Sequence, residues 1–216
     1  MEKTDRTFEI QRHWDDIYQR SETNSLGWYE ESPEPSLQLI RECGVAKDAR
    51  ILHVGAGATT LIDKLLEEGF GNQIATDISG QALQALRRRL GPEASQKMEW
   101  ITDDLTAPSS LRGIAPVSLW HDRAVMHFFV KEEERRPYFD LLRHLVLPGG
   151  WAIIAAFHLE GAEKCSGLPV RRYDEALLAR ELGPEFRLAR AFSYQYIMPS
   201  GASRPYIYTL FERGPV

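Results

Sequence analysis

Between Ile51 and Phe157, short apolar, β-prone runs alternate with stretches whose apolar residues recur at helical spacing. That rhythm predicts a parallel sheet with crossover helices. ILHVG predicts the first strand, and Leu61, Ile62, Leu65, Leu66 and Phe70 in TTLIDKLLEEGF mark the buried face of the helix after it. NQIATDI, MEWITDDL and VSLWHD predict the second, third and fourth strands. A helix over SGQALQALRRRLG, capped by Ser79, lies between the second and third. A further helix from Lys131 to Val146 is broken by LPGG, and WAIIAAF follows with the unbroken apolar character of a strand covered on both faces. The tail differs: FRLARAFSYQYIM and PYIYTLFER, joined by the turn-rich PSGASR, predict a closing antiparallel hairpin. Ahead of the sheet, FEIQRHWDDIYQR has helical character and SLGWYEESPEPS is a polar, proline-bearing connection with two large aromatics. Two readings of that segment stand: an appendage over the sheet edge where a ligand binds, or a helix that simply packs on the domain.

Composition narrows the picture. With 216 residues, 43% of them hydrophobic, the chain suits one domain with a sizeable core and is short for two. The expected division is a helix-and-lid segment over residues 1–45 and a core over 46–216. A formal charge of −5, from 26 basic and 31 acidic side chains, offers no general attraction to phosphate backbones or anionic lipid, so no nucleic-acid partner is expected. Cys43 and Cys165 stand in no metal-ligand spacing, which points to a reducing compartment without a disulfide framework or zinc site. The charged start lacks a secretion signal, and WAIIAAF is too short to span a bilayer. A cytoplasmic location without a membrane segment is the expectation; the oligomeric state is left open.

Candidate chemistry begins at ILHVGAGATT. In an open α/β sheet, ligands bind beyond the carboxyl ends of the strands, and glycine at Gly55 and Gly57 lets backbone amides approach one closely. Asp77 ends the second predicted strand 20 residues after Gly57, where a carboxylate accepts both hydroxyls of a ribose. A pyrophosphate would want a third glycine, and Thr60 stands there instead. Asp104 followed by Leu105 is suited to the amino group and ring of adenine, with Asp103 as its rival, since successive strand residues point to opposite sides.

Taken together, ILHVGAG, ATDIS, TDDL, VSLWHDRAVMHFF, LPGGWAIIAAF and the closing hairpin resemble the class I S-adenosylmethionine-dependent methyltransferases, over roughly Trp14 to Arg213. The resemblance implies an α/β, Rossmann-like sheet of seven strands in the order 3-2-1-4-5-7-6, strand 7 antiparallel, with helices on both faces. It implies S-adenosylmethionine as cofactor: Gly55 and Gly57 against its methionine portion, Asp77 at the ribose hydroxyls, Asp104 and Leu105 framing the adenine, with Trp28, Ala56 and Ile78 also among the cofactor-binding residues. His53 departs from the family, which usually has an acid two places before the first glycine. HWDDIYQR and GWYEE are similar to the opening segment of a subgroup that includes protein-lysine methyltransferases acting on elongation factors and citrate synthase. That likeness implies that Trp28 and Tyr29 help close the site and that Arg12 or His13 approaches the methionine carboxylate.

Methyl transfer from a sulfonium asks the protein mainly to align the acceptor and exclude water. His121, Asp122 and Arg123, expected just past the fourth strand, and His127 beyond them are the candidate catalytic groups, with His121 also near the cofactor. The Asn/Asp-Pro-Pro-aromatic motif of the family's exocyclic-amine base methyltransferases is absent here, against a DNA adenine acceptor. No metal is expected, because His121, Asp122 and His127 lack ligand spacing and a further acidic cluster. The polar segment FHLEGAEKCSGLPVRRYDE, with Cys165 as a candidate acceptor-binding or metalloid-binding thiol, is the other candidate acceptor wall. The expected reaction is methylation of a small molecule. The alternatives are a protein-lysine acceptor, a nicotinamide-dependent oxidoreductase, disfavoured by Thr60 and by the lack of a Tyr-x-x-x-Lys pair, and a methyltransferase-like binding domain without activity.

Overall fold

The apolar runs form one seven-stranded sheet: β1 (Ile51–Val54), β2 (Gln73–Asp77), β3 (Glu99–Thr102), β4 (Val117–Arg123), β5 (Val146–Phe157), β6 (Phe186–Ile197) and β7 (Ser203–Arg213). The computed structural model describes residues 3–215, with side chains from residue 6. In space the strands run β3-β2-β1-β4-β5-β7-β6; the first five are parallel, and β7 is antiparallel to both neighbours. This is the expected order, and the hairpin at the tail supplies its antiparallel edge. No helix among the described residues is long and apolar enough to cross a membrane.

Because strand residues alternate in direction, the sheet has two apolar faces. On one, Leu52, Trp120 and Ile154 pack beneath α5 (Glu132–Leu145) and α6 (Glu175–Leu182). On the other, Ile51, Leu119 and Ile153 pack beneath α2 (Glu34–Cys43) and α3 (Leu61–Glu67), while Ala75 meets α4 (Gly80–Gln96). The remaining helix, α1 (Lys3–Arg20), comes from the N-terminal segment.

Several boundaries differ from the sequence expectation. SPEPS opens α2: proline is tolerated in the first helical turn, where its missing N–H has no partner to lose, and Leu37, Ile40 and Cys43 then bury one face. α6, capped by Asp174, whose side chain accepts from the Leu177 amide at 2.7 Å, was not anticipated within the long polar connection. α4 continues past its expected end at Gly91, where a φ of 76° breaks the helical path ahead of Pro92. β3 stops at Thr102, leaving Asp103 and Asp104 in a loop, and β4 runs on through Arg123, so His121, Asp122 and Arg123 are strand residues.

Candidate active site

β1, β2, β3 and β4 end around a cavity of about 300 Å3. Gly55 turns the chain after β1 with φ +60°, and a Cβ there would lie 2.0 Å from Val125 Cγ2. Gly55→Ala therefore combines a left-handed backbone with a clash, and a loss of about 2–4 kcal/mol is expected in denaturant unfolding. A Cβ on Gly57 would stand 2.1 Å from the Tyr18 hydroxyl, so α1 lies directly on this loop.

Asp77, 9% exposed, forms part of the cavity wall. Its carboxylate accepts from the amides of Gly57 (3.1 Å) and Ser79 (2.9 Å). Burial raises its pKa to about 6, against the opposing pull of those amides. Beyond β3, Asp103 and Asp104 both reach the cavity, contrary to the expectation that only one does, because strand alternation ends at Thr102. They differ in function within the loop. Asp103 accepts from the amides of Ser109 and Leu111 and holds the loop's shape. Asp104 accepts from Thr7 Oγ1 of α1 at 2.5 Å and from the Thr106 amide at 2.8 Å. Ile78 and Leu105 complete this end.

α1 crosses the strand ends through contacts along its length. Asp15 accepts from Ser79 Oγ (2.6 Å) and the Gln81 amide (3.3 Å) at the start of α4, and Arg6 pairs with Glu134 of α5. Thr7, Ile10, Trp14 and Tyr18, spaced three or four apart, present one face to the cavity. Trp14 meets Trp28 edge-on at 5.6 Å and Phe128 at 5.1 Å; Trp28 Nε1 donates to the Tyr18 hydroxyl at 3.2 Å. Features of both readings of this segment are present: α1 lies beside the cavity at the strand ends, and it packs on the domain through α4. Thr7, Ile10, Trp14 and Tyr18 of this wall were not singled out from the sequence, although the 10-14-18 recurrence was visible. Trp28 lies on the cavity; neither Tyr29, Arg12 nor His13 does.

Of the four candidate catalytic residues, the structure brings only Arg123 to this cavity. Asp122 is fully buried on the opposite face of the sheet, where it accepts from the Val125 and Met126 amides (3.0 and 3.1 Å) and from the Tyr138 hydroxyl (2.7 Å). His127 is fully buried beside Phe128 and Phe157, and burial holds its pKa down at about 3. His121 points beneath the sheet, where Nε2 meets Ser36 Oγ at 2.9 Å and burial keeps the ring neutral. Among the described residues no group of three or more His, Cys, Asp or Glu is placed to hold a metal ion.

A second, smaller cavity of about 40 Å3 lies under the glycine loop, bounded in part by His53, Ala56, His121, Glu30 and Arg123. His53 is neutral, its pKa lowered by burial to about 4, with Nε2 on Gln73 Oε1 at 2.7 Å. The carboxylate here comes from Glu30 of the N-terminal segment, paired with Arg123 at 2.8 Å. Cys165 reaches the large cavity from a two-residue ladder, Lys164–Cys165 with Leu168–Pro169, and burial pushes its thiol pKa up.

No protein-family model and no curated protein sequence matches the chain. Solved structures do, and together with the strand order they identify the fold as that of the class I S-adenosylmethionine-dependent methyltransferases. One such enzyme from Anabaena variabilis aligns with a TM-score of 0.74 at 15% identity, covering 96% of this chain and 94% of its own. A protein solved in connection with the conversion of a disulfide bond into a thioacetal group during echinomycin biosynthesis aligns at 0.72, with 16% identity over 94% and 93% of the two chains. The 1,6-didemethyltoxoflavin N1-methyltransferase of Burkholderia thailandensis, with 1,6-didemethyltoxoflavin and S-adenosylhomocysteine bound, aligns at 0.66, with 16% identity over 97% and 86%. Likeness at these identities is likeness of fold.

Proposed function

We propose that this protein is an S-adenosylmethionine-dependent methyltransferase whose acceptor is a small molecule. The observation that carries the reading is Asp77: a buried carboxylate at the end of β2, tied to the Gly57 amide and forming part of the wall of the large cavity. Two amide donors leave it capacity for the hydroxyls of a ribose. Asp104 and Leu105 supply an acceptor and an apolar surface for adenine at the same end, and Gly55 and Ala56 bring backbone close to the remainder of the donor. When bound, S-adenosylmethionine supplies a methyl group already activated by the positive sulfur. The chain's own residues bind, orient and exclude water. Trp14, Tyr18, Trp28 and Phe128 form the cover, and an aromatic cover over a cavity of about 300 Å3 favours a small acceptor over a protein side chain.

Calorimetric titration with S-adenosylhomocysteine and, separately, with NADH tests the donor. Saturable binding of the first alone is expected; NADH binding alone overturns the reading. Radiolabel from S-adenosylmethionine should enter the metabolite fraction of a lysate, and label confined to protein would favour the lysine acceptor. Donor binding should also depend on pH. Ribose hydroxyls donate to the ionised form of Asp77, whose pKa burial raises to about 6, so affinity should be level above about pH 7 and fall as pH drops through 6. A flat profile between pH 5 and 8 would remove Asp77 from the ribose.

A further inference from the structure

We infer that the acceptor is an anion of the carboxylate class, received by the guanidinium of Arg123 at the β4 end of the cavity, an inference that rests on the methyltransferase reading. Arg123 closes β4, and its side chain is 9% exposed. Nε bonds Tyr208 Oη at 3.0 Å and pairs with Glu30 at 2.8 Å, while Nη1 donates to the Trp28 carbonyl at 2.9 Å. The guanidinium also lies over the rings of Tyr196 and Tyr206, at 4.8 and 5.0 Å. Held this way it is rigid, yet Nη2 is buried without any hydrogen-bond partner. A buried charged donor left unmatched is costly, and a residue on a cavity wall can find its match in a ligand.

Arg204 adds to the same field. It lies over Phe157 at 5.3 Å, which meets Tyr206 at 5.1 Å; its Nη1 is likewise buried without a partner. Among the described residues it forms no ion pair. Both arginines act on Cys165 and on His127: their charges oppose the rise that burial gives the thiol and reinforce the fall that burial gives the imidazole. At this end Glu30 pairs with Arg123 alone, Arg204 has no carboxylate partner among the described residues, and the carboxylates of Asp77, Asp103 and Asp104 belong to the β2 and β3 end of the cavity; burial keeps Tyr206 and Tyr208 neutral. A cationic acceptor entering here is repelled, whereas a carboxylate completes the fork of Arg123 and balances the charge. Leu168, Pro169 and Phe128 on the cavity wall suit an apolar body behind that carboxylate.

A matched pair of probes, benzoate and benzamide, tests this by calorimetry on the full chain, after a separate titration with S-adenosylhomocysteine. Benzoate is expected to bind at least about tenfold more tightly than benzamide. Arg123→Gln combined with Glu30→Gln, which removes the pair without leaving a lone buried charge, should bring the two within about threefold. Arg204→Gln, which leaves the Arg123–Glu30 pair in place, should reduce the preference part of the way and carries the test should the double variant not fold. Equal binding of the two probes, no binding of either, or a preference that survives both variants overturns the inference. Normal S-adenosylhomocysteine binding with no carboxylate preference overturns the anion site alone. A carboxylate preference without S-adenosylhomocysteine binding overturns the methyltransferase reading and keeps the anion site.

Discussion

Asp77→Ala is expected to weaken S-adenosylhomocysteine binding at least about 30-fold, roughly 2 kcal/mol, in calorimetric titration at pH 7.5. Two losses combine. The ribose hydroxyls lose a charged acceptor, and charge-assisted hydrogen bonds are the stronger kind. The amides of Gly57 and Ser79 also lose their shared partner, so the loop after β1 is no longer tied to the end of β2. Asp77→Asn removes the charge but keeps one of the two amide contacts, because Gly57 and Ser79 donate to different carboxylate oxygens and an amide has a single acceptor oxygen. That variant should bind with intermediate affinity, and its affinity should no longer fall as pH drops through 6. Unchanged affinity in Asp77→Ala would place the donor elsewhere.

Asp122→Ala is expected to cost about 3–5 kcal/mol of stability in denaturant unfolding, the largest effect of any single change considered. The side chain is fully buried and joins three donors: the amides of Val125 and Met126, and Tyr138 Oη, which in turn accepts from Trp120 Nε1 at 3.1 Å. Alanine leaves all three without a partner. It also releases the turn at Ala124, whose φ of 69° is unfavourable for a residue with a Cβ and which leads into the short helix Met126–Phe128. Burial raises the Asp122 pKa to about 7, above the ordinary carboxylate value of 3.8, so the folded state binds this proton more tightly than the unfolded chain. Its stabilising contribution is present below about pH 3.8 and is lost as pH rises through 7. His53 and His127 act oppositely over the acid range: with pKa values lowered to about 4 and 3, they cost stability as pH falls below 6.5. The difference in stability between wild type and Asp122→Asn, followed from pH 4 to 8, isolates the aspartate and should change sign or shrink across that window. A catalytic role for Asp122 would instead show as lost turnover in a variant of unchanged stability.

Local pattern made the sheet legible. The apolar runs of ILHV, QIATD and WAIIAAF are strands because each is long enough to pair and is bounded by glycine or helical stretches, and the tail's two β-prone runs joined by PSGASR could close only as a hairpin. The adjacency of the glycine loop and Asp77 was legible for the same reason: two parallel neighbouring strands end together, so spacing along the chain becomes proximity in space. HDR was misjudged because strand length is set by pairing across the sheet. β4 pairs with β5 as far as Arg123↔Ala155, and that pairing turns Asp122 to one face and His121 and Arg123 to the other. The amphipathic N-terminal helix announced an apolar face through Ile10, Trp14 and Tyr18, but not what would cover it.

By itself, then, the sequence determined which segments pair, where glycine permits a turn, and which carboxylate stands at the end of β2, all properties of neighbours along the chain. Only the tertiary structure decided that α1 lies across the strand ends, that Asp122 and His127 are buried away from the cavity, and that Glu30 reaches Arg123 across 93 residues. Those outcomes depend on which side of the sheet a residue faces and on which distant segment packs there, and long-range packing leaves no period in the sequence to read.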